Sequence, residues 1–527
     1  MGKFLSWLRD SKNLWGRSLL AVAGGLLLAL AFPAANFTIG LYLGLFLVLL
    51  SISKLGFFRA FWVGLLAGFS FYGLVLIWLT TYLGPIPWFA LCLVEGLFFA
   101  LSMSVISLVW RWLQSLNLGS AKNPIIALAI AVIYTAREYI TGHFPFGGLP
   151  WARVGLSQVD NYMAKWVWAI DISGLSVLLV FLTAWATIRF LNPLPQGSGL
   201  INRFKSWTAV TTTWLVIFGI GYFAVLPTND TGRTLRVAAV QGNANAGLFA
   251  HNPPGSILDK HLTVARELIK SGKAQGIDVM VWPENSSDLD PVTMVEPSLK
   301  ITKFVNEELK APLLFGNKTF RGSDFFNEVD LWEPNRGLTD WYDKKRPVPF
   351  GEYVPYRSFF MSLAPDMIGL IGWDMSPGTR DAIFDINGKA KVGSLICFEV
   401  TIDELNYDLV DSGTEAIMIQ TNSSDFGKSE QGVQLAAISR MRAIETGRSV
   451  VSISTVGVSG IYSPDGSVID ELETFKPGAM VADIKLRTDK TPAMIFGRYI
   501  EPATFYISIG LFLMTMIGSI IARRRKA

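Results

Sequence analysis

Ile277-Asp278-Val279-Met280-Val281-Trp282-Pro283-Glu284-Asn285 reads as a short apolar strand that stops at a proline and delivers a carboxylate at its end. Upstream lie another strand, Leu235-Arg236-Val237-Ala238-Ala239-Val240, and a segment, 256–270, that sets Ile257, Leu258, His261, Leu262, Ala265, Leu268 and Ile269 on one helical face. Downstream, strands are expected at 312–316, 391–396, 416–420, 450–454 and 480–484, with a helix over 430–446. Strand and helix alternating across 229–502 predict an α/β domain, a layered sheet sandwich. Two further polar residues end apolar strands. Cys397 follows Val392-Gly393-Ser394-Leu395-Ile396, and Lys344 lies in Trp341-Tyr342-Asp343-Lys344-Lys345. Strand ends are where α/β sheets expose their chemistry. A thiol becomes a good nucleophile once it loses its proton; a nearby carboxylate can take that proton, and an ammonium stabilises both thiolate and oxyanion. Each residue also has an ordinary reading: a buried small hydrophobe for Cys397, surface charges for Glu284 and Lys344.

Outside this segment the texture is different. Apolar runs occupy about 18–33, 37–53, 60–80, 87–110, 124–140, 167–188, 208–225 and 503–522, most of them near the ~20 residues needed to cross ~30 Å of hydrocarbon. Eight spans are expected, seven before the α/β segment and one after it. Over the 527 residues, 51 % hydrophobic content against 17 % charged excludes a disordered chain, and 17 Trp with 35 Phe suit a membrane interface. Two cysteines exclude a disulfide framework, and with three histidines they leave little for a structural zinc site. Cys92 reads as packing within a span, and His143, His251 and His261 show no ligand pattern.

Lys and Arg orient the spans. Lys3, Arg9, Lys12 and Arg17 precede the first; Lys54 and Arg59, Arg111 and Lys122, and Arg189, Arg203 and Lys205 lie in alternate connections; Arg523, Arg524, Arg525 and Lys526 follow the last. Of the other connections only 141–166 carries any, Arg153 and Lys165. The positive-inside rule then puts both termini in the cytoplasm and 229–502 on the far side. The expected domains are a membrane part, 1–228, an exported catalytic part, 229–502, and a last span with a basic tail, 503–527. Pro193-Leu194-Pro195-Gln196-Gly197-Ser198-Gly199 reads as a loop between spans.

Val281-Trp282-Pro283-Glu284-Asn285, then Tyr342-Asp343-Lys344 with Pro349-Phe350-Gly351-Glu352-Tyr353-Val354-Pro355, then Ile396-Cys397-Phe398-Glu399 occur in the order and spacing of a nitrilase-type (carbon-nitrogen hydrolase) domain. Joined to the spans, the chain resembles the bacterial apolipoprotein N-acyltransferases. The resemblance implies an αββα sandwich, and Glu284 as general base, Lys344 as transition-state stabiliser and Cys397 as acylated nucleophile. It further implies that Glu352 and Glu399 support this group and that the Phe398 N–H contributes to an oxyanion hole. It implies a ping-pong acyltransferase without cofactor or metal, in the bacterial inner membrane. The donor would be a phospholipid, the acceptor the N-terminal amine of an S-diacylglyceryl-cysteine lipoprotein, and the intermediate a thioester. Where the family usually has Asn-Asp-x-Trp-Phe, this chain has Asn422-Ser423-Ser424-Asp425-Phe426.

The segments 356–364 and 367–373, rich in Phe, Met, Ile and Leu, are poor solvent-facing loops and suit a lipid-facing mouth, or equally packing on the sheet. Trp151, Phe359, Phe360, Met361 and Phe426 are candidate entrance residues, with Arg153 a candidate phosphate or interface contact. Two other functions fit parts of the sequence. A membrane-tethered amidase would use the same Glu-Lys-Cys group without needing seven spans. A transporter would require paired ionisable groups along a path, and Glu95, Arg137 and Asp171 show no evident pairing in sequence.

Overall fold

The computed structural model describes residues 13–192, 200–247 and 250–524. Lys3, Arg9, Lys12, the 193–199 loop, Arg525 and Lys526 lie outside the described residues, as do the side chains of Arg203, Lys205 and Arg523. The chain forms two compact units: one from Met1–Thr80, Gly84–Val225 and Ile495–Ala527, the other from Thr81–Leu83 and Leu226–Met494.

The first unit is helical. Among the described residues, five stretches are long and apolar enough to cross a membrane: Phe57–Val75, Pro85–Ser115, Gly119–His143, Tyr162–Leu191 and Pro492–Ala522. Three shorter apolar helices, Leu14–Leu30, Thr38–Ile52 and Trp207–Phe223, accompany them. Small residues let the helices approach closely. A Cβ on Gly64 would stand 2.7 Å from Met103 Cβ, so the pair Gly64 and Gly68 accepts the helix Pro85–Ser115 at a distance that larger residues forbid. The last helix begins before residue 503, because Glu501 is only 8 % exposed and Arg498 is carried in a 3-10 turn, so the charges that end the apolar run in sequence do not end the helical structure.

The expectation of no pairing is corrected for Arg137 and Asp171, whereas the buried Glu95 Oε2 has no hydrogen-bond partner among the described residues. Arg137 bonds to Glu138 at 3.3 Å and to the Tyr72 hydroxyl, and its guanidinium lies 4.6 Å from the Tyr134 ring centre. Asp171 sits at a break in its helix and caps the second half by accepting from the N–H groups of Ser173 and Gly174. These partners are local in space and hold Arg137 and Asp171 as structural groups, with Arg137 Nε and Glu138 Oε2 left without a hydrogen bond among the described residues.

The second unit holds two six-stranded sheets. The first runs β12-β1-β2-β3-β4-β5 and the second β11-β10-β9-β8-β7-β6. The strands are β1 Thr234–Gln241, β2 Val279–Val281, β3 Leu313–Arg321, β4 Asp324–Glu333, β5 Gly337–Asp343, β6 Ile383–Ile386, β7 Ala390–Ile396, β8 Ala416–Thr421, β9 Ser449–Ser454, β10 Ser459–Tyr462, β11 Val468–Leu472 and β12 Gly478–Lys485. In each sheet three central strands run parallel, β1-β2-β3 and β7-β8-β9, and antiparallel strands flank them. Helix Ser256–Lys270 buries Leu258, Leu262, Ala265 and Leu268 on the first sheet around Trp282, and helix Gln431–Thr446 packs beside β9 of the second. The sheets are tied across their interface. Gln420 of β8 donates to the Trp282 carbonyl at 2.8 Å, and Ser459 of β10 donates to Gln241 of β1 at 2.5 Å. The segment 256–270 forms the expected helix to the residue, and the strand expected before Lys344 is β5, while β4, β6, β10 and β11 were not expected from sequence.

Candidate active site

β2 ends at Val281 and carries the chain through Trp282-Pro283-Glu284 against Gly316 of β3. A Cβ on Gly316 would stand 2.5 Å from Glu284 Cα, so only glycine permits this approach, and Glu284 is left 4 % exposed. Lys344 follows β5 and is 1 % exposed. Its Nζ lies 2.9 Å from Glu352 Oε1 and 3.7 Å from Glu284 Oε1. Asn327 of β4 bridges the two carboxylates, its Nδ2 donating to Glu284 Oε1 and to Glu352 Oε1 at 2.7 Å each. The Val348 N–H donates to the remaining oxygen of Glu352 at 2.7 Å.

One ammonium between two carboxylates leaves the carboxylates unlike. Burial pushes Glu284 above the ordinary range; Lys344 opposes this and the Glu352 charge adds to it. Burial acts the same way on Glu352, but Lys344 and the donors on both its oxygens outweigh it and hold its carboxyl below the ordinary range. Burial works against the charge on Lys344, and the Glu352 and Glu284 carboxylates overcome it, so the ammonium is retained. The arrangement thus holds a fixed ion pair, Lys344 with Glu352, beside a carboxylate with raised proton affinity, Glu284.

Cys397 stands where β7 turns into the 3-10 turn Cys397–Thr401, with φ of 53°. A non-glycine residue in this left-handed region carries a strain of about 1–3 kcal/mol that the surroundings must hold. Burial and the Glu284 charge push its thiol up, Lys344 pulls it down, and the Asn422 N–H bonds to the sulfur. A resting thiol is therefore neutral, and its proton has an acceptor nearby in Glu284. Phe398 occupies the next position of the turn and is half-buried.

Glu399 is fully buried and binds the Ile396 N–H at 3.0 Å, the Arg346 N–H at 3.1 Å and the Tyr342 hydroxyl at 2.8 Å. It joins the turn that bears Cys397 to the segment that bears Lys344. Arg442, also buried, supports the same turn by donating to the carbonyls of Val400 at 2.8 Å and Thr401 at 2.9 Å.

The candidate entrance residues separate into two groups. Phe359 is 58 % exposed on the helix Arg357–Leu363, which has no buried residue; Phe360 and Met361 on it are half-buried. Phe426 is half-buried with its ring 4.7 Å from that of Tyr82, a residue of the Thr81–Leu83 segment that packs with this unit. Trp151 is buried in the helical unit, its ring 5.4 Å from Trp78, and Arg153 is buried there too.

Asn327, the Asn422 N–H and Tyr82 were missed in the sequence. Asn327 lies in a strand hidden by its charged residues, Asn422 acts through backbone, and Tyr82 is remote in the chain. Among the described residues no three His, Cys, Asp or Glu side chains gather as a metal site.

Residues 24–185 match the family described as apolipoprotein N-acyltransferase N-terminal domain, and residues 236–490 the family described as carbon-nitrogen hydrolase. The apolipoprotein N-acyltransferase of Mycolicibacterium smegmatis is 29 % identical over 520 residues, covering 94 % of this chain and 84 % of that protein. That of Pseudomonas putida is 27 % identical, covering 91 % and 92 %. Among solved structures, an amidase from Nesterenkonia sp. is 15 % identical with a TM-score of 0.35, covering 49 % of this chain and 93 % of that one.

Proposed function

Because the chain resembles the apolipoprotein N-acyltransferases in both of their domains and over nearly its whole length, we infer that it is an acyltransferase that moves an acyl chain from a phospholipid to the N-terminal amine of an S-diacylglyceryl-cysteine lipoprotein. The observation that carries the mechanism is the Lys344 ammonium held between Glu352 and Glu284 next to Cys397.

In the first half-reaction Glu284 takes the Cys397 proton as the sulfur attacks the donor's ester carbonyl. The carbonyl oxygen becomes negative, and Lys344 with the Phe398 N–H stabilises it. The ester C–O bond breaks, the proton on Glu284 passes to the departing lysophospholipid, and an acyl thioester remains on Cys397. In the second half-reaction the acceptor's α-amine attacks the thioester. With a pKa of about 7.7–8.0, part of such an amine is unprotonated near neutrality. Glu284 takes a proton from it, the C–S bond breaks, and the proton returns to the thiol. Glu352 and Glu399 touch no reacting atom; the first fixes Lys344 and the second fixes the backbone of both segments.

Water competes with the amine for the thioester, so a mouth opening on lipid favours transfer over hydrolysis. The exposed apolar residues of the helix Arg357–Leu363, with Phe426, suit this role. We place the helical unit in the bacterial inner membrane as eight spans, counting the three shorter apolar helices with the five long ones, both termini cytoplasmic and 229–502 periplasmic. The domains are then 1–228, 229–502 and 503–527.

The test is intact-mass analysis of the detergent-purified protein after exposure to phospholipid. An acyl increment on Cys397 that a diacylated lipopeptide removes, with the lipopeptide gaining the same mass, supports the transferase. An acyl increment that water removes at the same rate with or without lipopeptide refutes it and favours a membrane-tethered amidase.

A further inference from the structure

The β3–β4 hairpin has two unlike faces. In an antiparallel pair, residues directly opposite share a face, and alternate residues along a strand return to it. Lys318 is opposite Asn327 and Phe320 is opposite Phe325. Asn327 reaches Glu284 and Glu352 from its face, so Lys318 and Phe320 stand on the catalytic face too. Along β3 that face steps outward from Gly316, pressed under Glu284, to Lys318 and then to Phe320.

The opposite face pairs its cation and its Thr319 hydroxyl with carboxylates. Arg321 bonds to both Glu328 and Asp343, and Thr319 donates to Asp290 at 2.8 Å. Lys318 differs. It is exposed, and among the described residues its side chain has neither a hydrogen bond nor an ion pair. Its charge is nonetheless felt at the site, where it lowers the proton affinity of Glu284 and of Asp425. Beside it lies an aromatic platform: the Phe320 and Phe325 rings stack at 4.4 Å, and Trp373 meets Phe320 edge-on at 5.7 Å. Phe320 is 42 % and Trp373 68 % exposed.

We propose that Lys318 binds the phosphodiester of the donor phospholipid and that Phe320, Phe325 and Trp373 carry the lipid's apolar part beside it. This rests on the acyltransferase reading and specifies which part of its donor is recognised. Alternate residues on a strand are ~6.8 Å apart, which suits a glycerol with its reacting ester near Glu284 and its phosphate one step outward. The acceptor lipopeptide has no phosphate, so Lys318 discriminates in the first half-reaction only.

The experiment compares two donors with identical acyl chains, phosphatidylethanolamine and diacylglycerol, which differ by the phosphate headgroup. The readout is kcat/KM for gain of acyl mass on Cys397 in mixed micelles. In Lys318→Gln the ratio of phosphatidylethanolamine to diacylglycerol falls about 10- to 100-fold, the worth of a hydrogen bond to a charged group. Lys318→Arg restores it. An unchanged ratio overturns the proposal. So does an equal fall with both donors, since the lysine then acts on Glu284 and not on a phosphate. Inorganic phosphate that inhibits both donors equally in the parent but not in Lys318→Gln would assign the lysine to free anions and also overturn it. A parent protein that gains no acyl mass from either donor refutes the acyltransferase reading itself, a pattern distinct from any of these.

Discussion

Glu352→Gln keeps the size of a side chain that the proposed mechanism assigns to holding Lys344 and removes the charge that does so. At 2.9 Å and an effective dielectric of about 20, two unit charges attract by about 6 kcal/mol, most of it offset by desolvation. Breaking a buried pair by removing one partner typically costs about 3–5 kcal/mol. The amide also places a donor where Lys344 or the Val348 N–H requires an acceptor. The effect on Glu284 has a definite sign. Glu352 raises the proton affinity of Glu284 and Lys344 lowers it, so removing the Glu352 charge leaves Lys344 to act alone, and Glu284 becomes a weaker base. Single-turnover acylation of Cys397, followed by intact mass over about pH 5 to 9, should show a plateau reduced about 10²-fold or more and an acidic limb displaced to lower pH. A plateau at the parent rate, or a limb that moves to higher pH, refutes the division of labour between the two carboxylates. A thermal midpoint measured on the same sample separates this from unfolding.

Cys397→Ser should retain phospholipid on purification and gain no acyl mass, whereas Cys92→Ser, a change in a buried span residue, should acylate normally; undiminished transfer by Cys397→Ser would remove the thioester. Burial and the neighbouring Glu328 carboxylate push Asp330 well above the ordinary range, so its contribution to stability is complete below about pH 4 and is lost as pH rises towards its folded value, by at most about 1.4 kcal/mol per unit. Asp330→Asn does not titrate, so its thermal midpoint should gain on the parent more at pH 8 than at pH 5, and an equal difference at both would contradict this. Tyr342→Phe deletes the hydroxyl that Glu399 and the Lys345 N–H share, and should lower stability by about 1–3 kcal/mol in chemical denaturation, with no loss refuting the tie. An impermeant thiol probe should label cysteines engineered on exposed positions within 229–502 from outside intact spheroplasts and fail to label one beside Arg524; the reverse would invert the topology.

The strands that carry Glu284 and Cys397 were readable because their apolar runs are short, bounded and followed by a polar residue. β4 was not. From Asn327 onward it is buried on both faces, so Glu328 and Asp330 lie where alternation predicts solvent, and their partners Arg321 and Asn317 are on the neighbouring strand. Asn327 was hidden for the same reason, since an amide has no signature until the carboxylates it bridges, 43 and 25 residues away, are brought to it. Runs of apolar residues located the helices but not their ends. Pro85–Ser115 extends past the expected 87–110 because Arg111 and Gln114 find carbonyl and amide partners at the helix end. Of the partners of Arg137, Glu138 is its neighbour in sequence, whereas the Tyr72 hydroxyl, 65 residues away on another helix, has no sequence signal.

The Glu399 carboxylate has a consequence for the proposed two-step transfer, in which a lipid ester and then an amine would use one site in turn. By binding the Ile396 N–H, the Tyr342 hydroxyl and the Arg346 N–H together it joins the segments that bear Cys397 and Lys344 into one frame, so under that proposal neither shifts between the two substrates. Under the same proposal accommodation comes from outside that frame, and the helix Arg357–Leu363, which has no buried residue and is held through Arg357 on Asp374 and Phe360 against Phe350, is a segment suited to supply it. The chemistry is held still while the doorway adapts. Substrate range in this protein should then evolve by changes between 356 and 373, leaving the frame beneath untouched.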